Sequence, residues 1–180
     1  MSPTPDSRCR TAGVTLTELL VALGIAAILL MFAVPLLSRQ RAESAVNVAT
    51  NRTMAALHLA RQQALSSGHS LTVCPSADSA RCSFGSPAWM LFENLAGGSD
   101  ARREPAEPLV QRWRLPEGVI VTGTRGYATY QPNTSAAATL SLEFCFGSVP
   151  AARRSIIVSQ TGRARVVRPA TNTAPRPCPA

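Results

Sequence analysis

Three arginines stand within six residues near the end of the chain, in the stretch SQTGRARVVRP from Ser159 to Pro169. Side chains of an extended strand alternate between two faces, so Arg163 and Arg165 are predicted to project from one face about 7 Å apart. Two guanidinium groups at this spacing can contact consecutive phosphates of a nucleic-acid strand. Arginine pairs also protect sheet edges against aggregation, so the pair alone leaves both interpretations open.

The distribution of charge strengthens the first interpretation. The chain has 180 residues, a formal net charge of +8 and a pI near 10.5, and all 18 of its basic residues are arginine. After Glu143 there is no acidic residue, and six arginines lie in that segment: Arg153, Arg154, Arg163, Arg165, Arg168 and Arg176. Such asymmetry is typical of a surface that meets nucleic acid or another polyanion. Charge alone is equally compatible with a solvated basic tail.

A hairpin is predicted to position the first arginine pair. The stretch SIIVSQTG is followed by RARVV, and the turn between the two strands includes Thr161 and Gly162. Gly162 can adopt the positive φ that such turns often require.

The other end of the chain contains a long apolar segment, Val14–Leu37. As a helix it would be roughly 36 Å long, enough to cross a bilayer. No small-residue cleavage site follows the segment, so we expect a retained anchor. Glu18 is an anomaly within it, because a carboxylate in hydrocarbon costs several kcal/mol unless it is paired. Glu18 can also snorkel to the interface, and Pro35 can either kink the helix or end the membrane segment.

The residues around Glu18 resemble the processing site of type IV prepilins. In AGVTLTELL, a basic leader and a glycine precede an apolar helix with glutamate at its fifth position. The resemblance implies cleavage between Gly13 and Val14, and N-methylation of Val14, by a prepilin peptidase at the inner membrane. It also implies that Glu18 neutralises the amine of a neighbouring subunit in the assembled pilus, since pairing makes a buried charge tolerable.

The helix is predicted to continue as an amphipathic half over residues 39–67. Apolar and small residues recur there at a spacing of three to four: Val46, Ala49, Thr53, Ala56, Leu57, Ala60 and Ala64. Ser66, Ser67 and Gly68 are expected to end the helix. His58 and His69 lie near this end, and we predict no metal site because no third ligand has suitable spacing.

After Gly68 the chain changes to short strand-like runs separated by turn residues. The predicted strands are SLTVC, AWMLFE, LVQRWRL, VIVTG, ATLSLEFCF and RSIIVSQ. The loop NLAGGSDARREPAEP is expected to be exposed, and Trp89 and Trp113 are expected in the core. A helix followed by antiparallel strands predicts an α+β fold in which the helix covers the sheet.

The second half of the chain resembles the GspH/FimT minor pilins, in the order of ARQQALSSGHSLTVCPS, AWMLFENLAGG, LPEGVIV and SIIVSQTGRARV. The resemblance implies the type IV pilin fold, with a leader over residues 1–13, a membrane and assembly helix over 14–38, and a β-rich domain over 68–180. Gly162, Arg163, Ala164 and Arg165 also match the Gly-Arg-x-Arg motif of the DNA-binding FimT-like pilins.

The cysteines are predicted to form two disulfides. Cys9 leaves with the leader, and an even number in an exported domain favours disulfides over free thiols. Of the three possible pairings of the remaining four residues, we expect Cys74 with Cys82, a local loop, and Cys145 with Cys178, which would hold the tail on the sheet.

The sequence therefore predicts a minor pilin that binds DNA without sequence specificity in natural transformation. The expected contacts are Arg163 and Arg165, with Arg168, Arg153, Arg154 and Arg176 as a surrounding field. Its expected partners are DNA, other major and minor pilins, and the prepilin peptidase. The protein would be anchored in the inner membrane, with a periplasmic domain, and then enter the pilus. The alternative is a structural minor pilin or a type II secretion pseudopilin that contacts only other pilins. Neither a cofactor nor an enzymatic activity is predicted, because no phosphate loop, paired acids or nucleophile motif occurs.

Overall fold

The computed structural model describes residues 13, 15–95, 102–133, 139–147, 149–168 and 178. Two compact units can be distinguished, Met1–Ser38 and Arg39–Ala180. Each is described separately.

The first unit contains the start of helix α1, Leu16–Ser67. Thr15 caps the helix: its Oγ1 accepts a hydrogen bond from the Glu18 N–H at 3.3 Å, and its carbonyl accepts one from the Leu19 N–H at 3.1 Å. The large apolar side chains of this unit are exposed, and the helix is long and apolar enough to cross a membrane. The helix runs through Pro35 without ending there.

The remainder of α1 lies in the second unit and buries one face. The seven residues of the predicted apolar face are all buried, together with Ala42 and Thr50. Alanine supplies five of these nine positions. The helix ends at Ser67, and Gly68 adopts a φ of 74°, as the predicted end signal requires.

Eight strands form two antiparallel sheets. In chain order they are β1 (Ser70–Pro75), β2 (Ala88–Asn94), β3 (Leu109–Arg114), β4 (Val119–Gly123), β5 (Ala128–Tyr130), β6 (Leu140–Phe146), β7 (Val149–Val158) and β8 (Ala164–Val167). The first sheet has the order β3-β2-β1-β5 and the second β4-β6-β7-β8. One long helix packed on antiparallel sheets confirms the predicted α+β class.

Trp89 lies where the two sheets meet in the core. Its ring stacks on Trp113 of the first sheet, with 5.9 Å between centroids, and on Phe144 of the second, with 6.4 Å. All three side chains belong to the same buried cluster as the alanine face of the helix. The prediction that both tryptophans are core residues is confirmed.

The opposite side of the first sheet is buried as well. Cys74, Met90 and Phe92 form a second apolar cluster there, with Cys82 and Tyr127 packed against it. The disulfide between Cys74 and Cys82 closes the loop that follows β1. This is one of the two expected pairs.

Most described residues of the loop before β3 are exposed, as expected, and Glu107 is the exception. Glu107 is only 3% exposed, and its carboxylate accepts hydrogen bonds from the N–H groups of Leu95, at 2.9 Å, and Glu104, at 2.8 Å. The described end of the loop is therefore folded back on itself, because a buried carboxylate needs donors. Residues 96–101 of this loop lie outside the described residues.

Two strands depart from the predicted pattern. β5 was not predicted, since its three residues, ATY, are too few to show alternation. β7 begins at Val149 rather than Arg154, because Pro150 and two alanines resemble a turn in the sequence. In the structure Val149 pairs with Phe146 and Arg153 with Cys145, and the register shifts between these two pairs.

The β7–β8 turn has the predicted form. The Gly162 N–H donates to the Ser159 carbonyl at 2.9 Å, and the Ser159 N–H donates to the Arg163 carbonyl at 3.1 Å. Gly162 has a φ of 72°, in the region that favours glycine.

Replacing Gly162 by alanine is expected to destabilise the domain by about 1–2 kcal/mol, because a Cβ is strained at this φ. Thermal unfolding followed by circular dichroism measures the change. Gly126→Ala is the matched control: a Cβ there meets Phe84 at an ordinary 3.7 Å and the φ is not positive. Equal melting temperatures for the two variants would contradict the prediction.

Burial raises the pKa of Tyr130 from the usual 10.0 of tyrosine to about 12, although the nearby Arg61 charge lowers it. The folded state therefore disfavours the phenolate. The stability that this contributes is present below pH 10 and is lost as the pH rises towards 12.

The measurement is tyrosinate absorbance after rapid pH jumps in Tyr127→Phe, which leaves Tyr130 as the only tyrosine. A midpoint close to 10.0, the usual pKa of tyrosine, in the folded protein would show that the Tyr130 side chain is not buried.

Candidate polyanion-binding site

The second sheet has one face towards the core and one away from it, and we call the latter the outer face. Leu142, Phe144 and Ile156 are buried in the core. Glu143, between Leu142 and Phe144, and Ile157, between Ile156 and the buried Val158, therefore project from the outer face. Arg165 pairs with Ile157 in the register of β7 and β8, so Arg165 lies on the outer face too.

Arg163 and Arg165 are both exposed, and the buried Ala164 lies between them. Arg163 directly precedes β8 and Arg165 lies within it, so an extended backbone places both guanidinium groups on one side of the hairpin, about 7 Å apart along the strand. Neither side chain forms an ion pair with a described residue.

The turn beside this pair is fixed by side-chain hydrogen bonds. The hydroxyl groups of Ser159 and Thr161 lie 2.8 Å apart, and the Ser159 hydroxyl donates to the Arg163 carbonyl at 3.3 Å. Together with the backbone bonds of Gly162, these contacts hold Arg163 in place. Arg168, directly after β8, is also exposed, whereas Arg176 lies outside the described residues.

Arg153 does not belong to the available surface, which corrects the prediction. Its side chain is only 12% exposed, and its Nη1 lies 2.8 Å from Oε1 of Glu143. The opposite charges of Arg153 and Glu143 compensate each other. Glu143 therefore does not strongly repel an anionic ligand, and Arg153 does not strongly attract one. Glu143 was not predicted to have this role, although its alternation with the apolar Leu142 and Phe144 indicates its face.

Arg154 faces the other way, which is a second correction. It pairs with the core residue Phe144 in the register of β6 and β7, so it projects from the opposite side to Arg153. It is half-buried, and its Nη1 donates to the Arg153 carbonyl at 2.8 Å. The structure thus does not bring Arg154 together with Arg163 and Arg165.

The second disulfide lies on the outer face. Cys145, which pairs with Arg153 in the sheet register, is bonded to Cys178. This is the other expected pair, and it holds Cys178 beside the Arg153–Glu143 ion pair.

The predicted processing and assembly residues lie at the other end of the chain. Gly13 is exposed, and Val14 lies outside the described residues. Glu18 is in the first helical turn, where a carboxylate interacts favourably with the helix dipole.

The chemistry available at the site is anion binding. Within the described ranges no three His, Cys, Asp or Glu residues are grouped as metal ligands would be. His58 is exposed, and Nδ1 of His69 lies 3.8 Å from Oε2 of Glu93.

Two family models match the chain. The model of the Type II transport protein GspH matches residues 49–162, and the prokaryotic N-terminal methylation motif matches residues 8–34. The first match covers more than half of the chain, and the second includes Gly13, Val14 and Glu18. Among curated proteins, none matches the chain significantly.

Solved structures show the same fold. The type IV minor pilin FimU of Pseudomonas aeruginosa superposes with a TM-score of 0.53 at 18% identity, over 78% of this chain and 97% of FimU. The minor pseudopilin EpsH from the type 2 secretion system of Vibrio cholerae superposes with a TM-score of 0.50 at 12% identity, over 69% of this chain and 97% of EpsH.

The family model, the methylation motif and the shared fold all support the same assignment, a minor pilin or pseudopilin. The chain belongs to the GspH family and is a minor pilin or pseudopilin.

Proposed function

We propose that this protein is a minor type IV pilin of the FimT type that binds extracellular DNA for uptake in natural transformation. The observation that supports this most directly is the exposed pair Arg163 and Arg165, which projects from one face of the β7–β8 hairpin and has no ion-pair partner among the described residues. The motif around the pair, Gly162 to Arg165, is the one expected for DNA-binding members of this group.

The arginines act as a phosphate clamp. A strand holds its alternate side chains about 7 Å apart without further ordering, so the two guanidinium groups meet the backbone of DNA at low entropic cost. Arg168 extends the positive field beyond the strand, and Arg176 is proposed to add to it. Glu143 does not oppose the ligand, because Arg153 compensates its charge.

Binding by this surface is independent of base sequence. Phosphate contacts position a protein on DNA, whereas specificity needs groups that reach the base edges. The described part of the hairpin offers neither a recognition helix nor an aromatic platform for stacking, and Trp89 and Trp113 are in the core. Affinity is therefore weak, salt-sensitive and increased by presentation in a fibre, where several contacts act together. Retraction of the pilus then draws the bound DNA towards the cell.

The N-terminal residues direct the processing of the chain and its assembly into the pilus. We propose that the prepilin peptidase cleaves between Gly13 and Val14 at the inner membrane and methylates Val14. The methylation motif over residues 8–34 and the exposed apolar helix support this proposal. Glu18 then pairs with the amine of a neighbouring pilin during assembly, and the domain from Arg39 onwards is periplasmic before that step.

Removing the two arginines is expected to remove most of the DNA binding. The full chain in nonionic detergent is titrated with two fluorescent duplexes of unrelated sequence, and anisotropy is followed over a salt series. The wild type should bind both duplexes alike, with a dissociation constant of roughly 10⁻⁴–10⁻⁶ M. In Arg163→Gln with Arg165→Gln, the slope of log K against log salt should fall by about 2, since each lost phosphate contact contributes about 0.9.

The matched control is Arg39→Gln with Arg125→Gln. It removes the same charge from two separate exposed positions and tests whether net charge alone matters. If the hairpin variant binds as the control does, the hairpin is not a DNA site. Its arginines would then meet acidic partner subunits, as in a structural minor pilin or a secretion pseudopilin.

A further inference from the structure

A second arginine pair has the same arrangement as the hairpin pair. Strand β3 is an edge of the first sheet, and its residue Trp113 is buried. Arg112 and Arg114 flank Trp113, are exposed, and project from the face opposite to the core, about 7 Å apart. The sequence Arg-Trp-Arg thus repeats the alternation of Arg163, Ala164 and Arg165.

Two loops bring further arginines to this edge. Arg81 and Arg102 form an isolated antiparallel bridge between the loop after β1 and the loop before β3. The Arg103 N–H donates to the Ala80 carbonyl at 2.7 Å, which ties the same two loops together. Arg112 Nη2 donates to the Ala77 carbonyl at 3.3 Å, so the first of these loops is also tied to the strand.

These four exposed arginines, Arg81, Arg102, Arg112 and Arg114, are called the β3-edge cluster. They come from three separate segments of the chain, which the Arg81–Arg102 bridge and the hydrogen bond from Arg112 to Ala77 link together. Protection of a sheet edge explains the pair on β3, but it does not explain the arginines of the two loops.

Two acids near this cluster accept hydrogen bonds from backbone N–H groups of the loops. The N–H groups of Arg81 and Ala80 bind the Asp78 carboxylate and lower its pKa to about 2. The buried carboxylate of Glu107 is bound by backbone N–H groups.

One ion pair involves the cluster directly, between Arg102 Nε and Glu104 Oε1 at 3.6 Å. The side chains of Arg81, Arg112 and Arg114 form no ion pair with a described residue. Three cations of the cluster are therefore available to a ligand.

We infer that the β3-edge cluster is a second contact for the phosphate backbone of DNA, separate from the β7–β8 hairpin. This inference rests on the proposed function, because it assumes the same ligand, DNA. The two surfaces lie on edge strands of different sheets, β3 and β8. A single subunit then offers two weak contacts, which raises its avidity for a long polyanion without any base-specific contact.

The test uses the full chain in nonionic detergent and four variants: the edge variant Arg112→Gln with Arg114→Gln, the hairpin variant Arg163→Gln with Arg165→Gln, the combination of both, and the control Arg39→Gln with Arg125→Gln. The edge variant is expected to reduce the salt slope for duplex DNA by about 2, and the combination by about 4. The variant Arg112→Lys with Arg114→Lys should keep the wild-type salt slope, because a phosphate contact needs the positive charge rather than the guanidinium plane.

The outcomes separate the two proposals. If the edge variant behaves as the control while the hairpin variant loses binding, the inference is overturned and the proposed function stands. If only the edge variant loses binding, the inference holds and the hairpin proposal fails. No DNA binding by the wild type overturns both.

An acidic protein is the other partner that the cluster could fit. Tighter binding of polyglutamate than of DNA, lost in the edge variant, would overturn the assignment to nucleic acid. Circular dichroism melting checks that every variant is folded. If the glutamine variants unfold, Arg81→Gln with Arg102→Gln provides the same test from the loops, and an unchanged salt slope in that variant would overturn the inference.

Discussion

The packing of the two sheets against each other depends on Trp89, whose ring stacks on Trp113 and on Phe144. The two sheets share no hydrogen-bonded strand pair among the described residues, so side-chain packing must join them. Trp89 contacts an aromatic residue of each sheet, and such pairs contribute about 0.5–1.5 kcal/mol beyond the area they bury. The same cluster includes the alanine face of α1, whose short side chains let both sheets pack against one helix.

Because side chains alternate along a strand, the residues that are buried in the core determine which charged residues face solvent. In β6, burial of Leu142 and Phe144 places Glu143 on the outer face, and in the hairpin, burial of Ala164 places both flanking arginines on one side. The acid and Arg153 then compensate each other, which leaves the arginines at the edge as the main charges. The positive surface is thus a consequence of which residues are buried as much as of how many arginines the tail contains.

Local patterns in the sequence predicted the elements well. The helix face, the helix end at Gly68, six strands and the hairpin turn each depend on residues close in sequence, so periodicity and turn chemistry were sufficient. The roles of individual charges were less predictable. Arg153 and Arg154 are adjacent in a basic run, yet one compensates an acid of β6 and the other faces the core side. Strand alternation alone gives them opposite faces, but which residues of β6 they meet depends on the register between strands, and a single sequence does not specify that register.

The same limit applies to the second arginine pair. Arg112 and Arg114 lie in a strand that was predicted, and the buried tryptophan between them already implied a common outward face. What the sequence did not show is that β3 is an edge strand and that two distant loops add Arg81 and Arg102 beside it. A rigid sheet edge offers few groups that could contact base edges, so it is poorly suited to sequence recognition. It can, however, hold several arginines at a fixed spacing for phosphate contacts at low entropic cost. For a subunit that acts within a fibre, repetition of weak contacts is a more accessible route to firm binding than one specific site, because avidity grows with the number of contacts that engage together.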